Sequence, residues 1–177
     1  MIELQAIGAA QTVTGSKHLL RTPRATLLLD CGLFQGRRQE AIERNQAFPV
    51  PVAEIDAVVL SHAHIDHSGA LPLLYRRGYR GPVYCTPATR DLCVPMLEDA
   101  AMIQTSDAAH IDRLIEGGRA DLKHVEPLYD QRDVLGLLRQ MVAVPYRRLQ
   151  PIAPGVTLTL MDAGHVLGSA VVVLDID

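Results

Sequence analysis

Residues 57–69 read Ala57-Val58-Val59-Leu60-Ser61-His62-Ala63-His64-Ile65-Asp66-His67-Ser68-Gly69, and this stretch decides the fold. Ala57 to Leu60 is a short, unbroken apolar run between polar residues, the pattern of a strand buried on both faces. It runs straight into three of the chain's seven histidines. On an extended backbone, residues two apart project to the same side, so His62 and His64 can grip one cation together. If the chain then turns into a helix at Ser68, Asp66 and His67 point elsewhere and can hold a second cation. Imidazole and carboxylate are preferred by zinc and also suit iron or manganese. The helical His-Glu-x-x-His site uses a four-residue spacing and is a different type.

Working outward, the pattern upstream predicts three strands, Ile2 to Ile7, Lys17 to Arg21 and Ala25 to Leu29. Gly15-Ser16 and Thr22-Pro23-Arg24 punctuate them as turns. Downstream, a helix is expected from Gly69 to Arg77, capped by Ser68 and stopped by Gly78. A strand follows over Val83 to Thr86. Apolar residues at helical spacing then run from Ala88 to Ile115, with Pro95 expected to break or kink them. A further helix is read from Asp130 to Met141, then strands Val156 to Met161 and Ala170 to Ile176 around a loop at Asp162 to Gly168. Strands alternating with helices, with hairpins at both ends, predict a layered α/β fold with a mixed sheet.

Composition narrows the functional classes. The chain has 177 residues, 48% of them hydrophobic, and a net charge of −3, values that suit one folded domain and exclude disorder. No apolar run approaches the roughly 20 residues that cross a bilayer, so no membrane association is expected. The amino terminus lacks the basic n-region of a secretory signal. The odd number of cysteines (Cys31, Cys85 and Cys93) argues for reduced thiols and a cytoplasmic location. Each is read as a small buried apolar residue. The balance excludes a strongly basic nucleic-acid tail, although all the basic residues except Lys17 and Lys123 are arginine, whose planar fork suits phosphate.

A cation held by two histidines needs further ligands. His165, in Asp162-Ala163-Gly164-His165-Val166-Leu167-Gly168-Ser169, sits in a glycine-flanked loop between two strands and is the best candidate. Asp30 ends the strand at Leu29, where its carboxylate can accept the second ring N–H of a metal-bound histidine. His18, His110 and His124 have no second ligand nearby in sequence and are read as structural or solvated. Gly8 to Ser16 lacks the phosphate-loop lysine pattern and is read as a tight turn near the metal loop. The apolar end, Val171 to Ile176, predicts an open strand edge through which chains can self-associate, and a chain that is a fragment of something longer.

Taken together, these residues resemble the metallo-β-lactamase superfamily, whose signature is His-x-His-x-Asp-His after a strand. More narrowly they resemble its β-CASP branch of RNA-processing nucleases. That narrower likeness rests on Gly8 to Ser16, Asp30 to Gly36, Ser61 to Gly69, Glu126-Pro127-Leu128-Tyr129 and Asp162 to Ala170. The resemblance implies an αββα sandwich, here its N-terminal portion, with mixed sheets flanked by helices. It implies two metals, normally zinc: His62, His64 and His165 on one, Asp66 and His67 on the other, and Asp30 behind them. It further implies hydrolysis of single-stranded RNA by a hydroxide that the two ions activate, with Asp66 and His67 as catalytic residues. A bridging aspartate, the β-CASP domain and a last ligand histidine, which the family places beyond the His165 motif, do not occur in this chain. The second site is therefore expected to be incomplete, and the isolated chain inactive or weakly active. A hydrolase of a small ester or thioester and a non-catalytic binding module are the alternative readings.

Overall fold

The computed structural model describes residues 1–119 and 121–177. Among the described residues, nine strands form two sheets. The first sheet takes β1 (Glu3–Gly8), β2 (Lys17–Arg21), β3 (Thr26–Leu29), β4 (Ala57–Val59), β5 (Val83–Cys85) and β6 (Met141–Ala143) in that spatial order. Its first three strands are an antiparallel meander, and β3 to β6 are parallel. The second sheet is the antiparallel set β7 (Gln150–Ala153), β8 (Val156–Asp162) and β9 (Ala170–Ile176), with β9 at its edge. The helices are α1 (Arg38–Ala47), α2 (Ile65–Ser68), α3 (Leu71–Arg76), α4 (Pro87–Glu116) and α5 (Gln131–Leu138).

Strand alternation builds the layers. Successive side chains of a strand point to opposite faces, so the first sheet feeds two cores. Leu19, Leu28 and Val58 face α3, α4 and α5, where Leu71, Leu74, Cys93, Leu97, Val134 and Leu137 are buried with them. Leu20, Leu27, Ala57 and Val59 face the opposite way, onto Ile152, Val156, Leu158 and Leu160 of the second sheet. The result is helices on sheet on sheet. Among the described residues no helix covers the outer face of β8 and β9, where Val171 and Val173 are exposed.

The mixed α/β architecture agrees with the expectation from sequence, while several boundaries differ. The helix expected over 69–77 is two helices, and the first begins at Ile65 with His64 as its N-cap. Ser68 is not a cap: its buried hydroxyl donates to the carbonyls of Ala63 and His64. Gly78 does terminate α3, at φ +103°. Pro95 does not break α4, because Pro95 and Asp91 lie on the solvent face, where water can satisfy the carbonyl that proline leaves without a partner. Thr86 caps α4 rather than ending β5. The helix read over 130–141 stops at Leu138, and Met141 opens β6. Helix α1 and the short strands β6 and β7 escaped the sequence reading: α1 has little apolar periodicity, and the strands span three and four residues.

Candidate metal centre

The parallel strands converge on one edge. Asp30 directly follows β3, Ser61 to His64 follow β4, Thr86 follows β5, and the loop between β8 and β9 carries His165. Loops beyond the carboxyl ends of parallel strands are where an α/β sheet collects its ligands. Backbone bonds bind these segments together. Ser16 N–H donates to the Asp66 carbonyl (2.8 Å), Cys31 N–H to that of His67 (2.7 Å), and Ala170 N–H to that of Ser61 (2.9 Å). The Gly8 to Ser16 turn therefore lies against the histidine segment, as its sequence suggested.

His62, His64 and His165 come together although the third is a hundred residues away. Their ligand nitrogens all lie within 4.8 Å of one another. Ring centroids are 4.9 Å apart for His62 and His64, 5.1 Å for His62 and His165, and 5.0 Å for His64 and His165, with the planes nearly perpendicular. His165 Nε2 and His64 Nδ1 are 3.3 Å apart. Two nitrogens each about 2.05 Å from one tetrahedral ion would lie about 3.3 Å apart, so this spacing fits a shared cation such as zinc.

Asp30 organises the other half of the site. It adopts φ +57°, a left-handed conformation that aspartate tolerates better than most residues. Its Oδ1 accepts from Ser61 N–H (2.8 Å), while Oδ2 accepts from Ser61 Oγ (3.0 Å) and from His67 Nδ1 (2.7 Å). Because the Ser61 hydroxyl proton goes to Asp30, a lone pair on the same oxygen can accept from His62 Nδ1 at 3.0 Å. His62 and His67 are thereby both turned to present Nε2. His67 Nε2 lies 3.7 Å from Asp66 Oδ2, so these two residues form a neighbouring pair of potential ligands. His62 and His67 rings are 4.0 Å apart, closer than the sequence picture of two divergent groups implied.

The imidazoles differ electrostatically. Burial, with the neighbouring His67 second, lowers the His62 pKa to about 4, which keeps the ring neutral and available as a ligand. The hydrogen bond to Asp30 raises that of His67. Burial pushes the thiols of Cys31 and Cys93 up to about 12 and that of Cys85 up as well, so none is a ready thiolate. Away from the site, His124 pairs with Asp112 (2.7 Å), and His18 stands 3.4 Å from the Ser16 hydroxyl. A cleft of about 390 Å³ between α1, α4 and residues 125–128 contains none of the site imidazoles, so chemistry rather than volume marks this site.

The sequence reading missed the hydroxyl residues around the ligands: Ser61, Thr86, Thr89, Tyr146 and Ser169. Only Ser61 carried a usable signal, being adjacent to His62. The others act across separations of up to 82 residues or from within the His165 loop.

A two-sheet α/β fold that gathers three imidazoles and an aspartate-held fourth at one edge defines a metallohydrolase-type scaffold. Residues 14–161 match the model of the metallo-β-lactamase superfamily, and the chain belongs to that superfamily. It is 35% identical over 171 residues to transcription termination factor FttA of Methanosarcina mazei, covering 96% of this chain and 24% of that protein. It is 42% identical over 170 residues to a Thermus thermophilus protein named as a ribonuclease, covering 94% and 33%. The chain thus spans about a quarter to a third of the curated relatives it matches. Among solved structures, a Cronobacter sakazakii metallo-β-lactamase mutant superposes with TM-score 0.52 at 20% identity, covering 97% of this chain and 54% of that one. The metallo-β-lactamase fold protein YhfI of Bacillus subtilis gives 0.52 at 18%, covering 98% and 57%. The chain therefore has the metallo-β-lactamase fold. No helix is long and apolar enough to cross a membrane among the described residues.

Proposed function

We propose that this chain is the N-terminal portion of the metallo-β-lactamase domain of a longer protein of the β-CASP type, a nuclease that hydrolyses phosphodiester bonds of single-stranded RNA in the cytoplasm. The observation that carries the reading is the convergence of His62, His64 and His165, with the 3.3 Å separation of two ring nitrogens. A relative at 42% identity that is named a ribonuclease supports the choice of RNA over a small ester or thioester.

In this reading His62, His64 and His165 hold one cation, and Asp66 and His67 contribute to a second whose remaining ligands lie outside this chain. When bound, the cations, zinc in the simplest case, supply Lewis-acid chemistry: they acidify water and neutralise charge on a phosphoryl group. The chain's own groups prepare the site. Asp30 fixes the tautomers of His62, through Ser61, and of His67. The Asp66 carboxylate orients the attacking water. The free edge of β9 provides a surface for self-association of the isolated chain, which sedimentation at increasing concentration would reveal.

The test uses the full-length protein. His64→Ala should abolish chelator-sensitive cleavage of single-stranded RNA and reduce the bound metal. Cleavage that persists in the variant and resists chelation would refute the proposal. Turnover of a thioester without any of RNA would move the activity to the small-substrate class.

A further inference from the structure

His165 is an exposed side chain on a loop, yet a ligand must be held still. What fixes it lies underneath. The carbonyl of Gly168 points into the first turn of α4, where it accepts from the Thr86 hydroxyl (2.7 Å) and from the Thr89 hydroxyl (2.9 Å). Both threonines are fully buried. Thr86 is also the N-cap, taking the backbone N–H of Thr89, so its donor and acceptor capacities are both used. The fit is close. Gly168 sits at φ +82°, and a Cβ there would lie 2.6 Å from Thr89 N and 2.8 Å from each threonine Oγ1.

From this anchor a second set of bonds leads back to the ligand. The buried Ser169 hydroxyl accepts from the backbone N–H of His165 (3.1 Å) and of Val166 (3.2 Å). Tyr146 donates its hydroxyl to the Ser169 carbonyl (2.8 Å), and Ala170 N–H closes onto the Ser61 carbonyl beside His62. A carbonyl aimed at a helix N-terminus is further stabilised by the helix dipole.

We propose that Thr86 and Thr89, the threonine pair at the start of α4, are positioning residues that hold the His165 loop in its ligating position. This rests on the reading of His62, His64 and His165 as a cation site. Loss of a hydroxyl from the pair leaves the buried Gly168 carbonyl short of a donor. The loop then relaxes, and His165 is withdrawn from the other two imidazoles while those stay in place.

The experiment measures Co²⁺ binding to the chain by its visible d–d absorption, alongside unfolding in urea. Thr89→Val, which keeps shape and removes the hydroxyl, should weaken Co²⁺ binding about 10- to 100-fold, the usual effect of losing a group behind a ligand. Thr89→Ser should restore binding, and Tyr146→Phe, a milder loss near the loop surface, should weaken it less. Unchanged Co²⁺ affinity in Thr89→Val, or a loss that Thr89→Ser does not rescue, would overturn the proposal. Should Thr89→Val fail to fold, Tyr146→Phe carries the decision: undiminished affinity in that variant counts against the proposal. His165→Ala separates the two ideas. If it leaves Co²⁺ binding untouched, the three-histidine reading itself fails; if it weakens binding and the threonine and tyrosine variants do not, only the positioning role fails.

Discussion

Gly32 sits where two backbones touch, and replacing it with alanine tests how the Asp66–His67 segment is held. A Cβ at position 32 would lie 1.6 Å from the Asp66 carbonyl oxygen, 2.1 Å from its carbon and 2.7 Å from His67 N. Carbon and carbonyl oxygen normally approach no closer than roughly 3.3 Å, so the Asp66 carbonyl would have to retreat by roughly 1.7 Å. That movement breaks the bonds from Ser16 N–H to Asp66 and from Cys31 N–H to His67. Overpacking of this kind costs about 1–3 kcal/mol and each lost buried bond about 1 kcal/mol, giving about 3–5 kcal/mol in all. A small domain has about 5–15 kcal/mol of stability, so the loss is severe. With a urea dependence of about 2 kcal/mol per molar, the unfolding midpoint should fall by about 1.5–2.5 M. Gly118→Ala is the control: its φ is +97° but nothing lies within 4 Å, so only a backbone cost of about 1–2 kcal/mol is expected. Equal midpoints for the two variants, or a Gly32→Ala chain within 1 kcal/mol of the parent, would refute the close-approach argument.

Asp30→Asn should lower the His67 pKa and free its ring to turn, which an NMR titration of the metal-free chain would record as an earlier loss of the His67 proton when pH is raised. The same metal-free chain should lose stability as pH falls from 6.5 towards about 4, because an unfolded His62 takes up a proton in that window and the buried one does not. His67 acts with the opposite sign. Its raised pKa contributes stability that is fully present below 6.5 and is lost as pH rises through the folded value. Urea midpoints at pH 7 and pH 5 should therefore drop more steeply in Asp30→Asn than in the parent; parallel slopes would contradict the assignment. Leu158→Ala, in the core between the sheets, should cost about 2–5 kcal/mol while leaving Co²⁺ affinity intact in the folded chain. A large affinity change there would mean that the second sheet tunes the site directly.

The legible part of this protein was local. Val58 and Val59 lead into His62, His64, Asp66 and His67 within ten positions, so strand, turn and candidate ligands could be read from one short window. His165 and Asp30 were legible as candidates because each ends or follows a strand, and their roles beside the histidine segment could be named, but the distances and the intervening Ser61 hydroxyl could not. Helix α1 stayed hidden because Arg38–Ala47 has almost no apolar stripe, and β7 because a strand containing Pro151 looks like a turn. The boundary at Met141 was misplaced because a strand of three residues inside an apolar run has no period to display.

By itself, the amino-acid order determined which residue types can bind a cation and the alternation that sends Leu19 and Leu28 one way and Leu20 and Leu27 the other. Only the tertiary structure decided that His64 and His165 stand 3.3 Å apart, that Asp30 orients His67 directly and His62 through Ser61, and that the Thr86–Thr89 pair grips Gly168. The physical reason is that these contacts, apart from the Ser61–His62 link between neighbours, join segments 31 to 101 residues apart. Hydrogen-bond geometry between such segments is set by how the sheet and helices pack, and no local pattern in the chain encodes it.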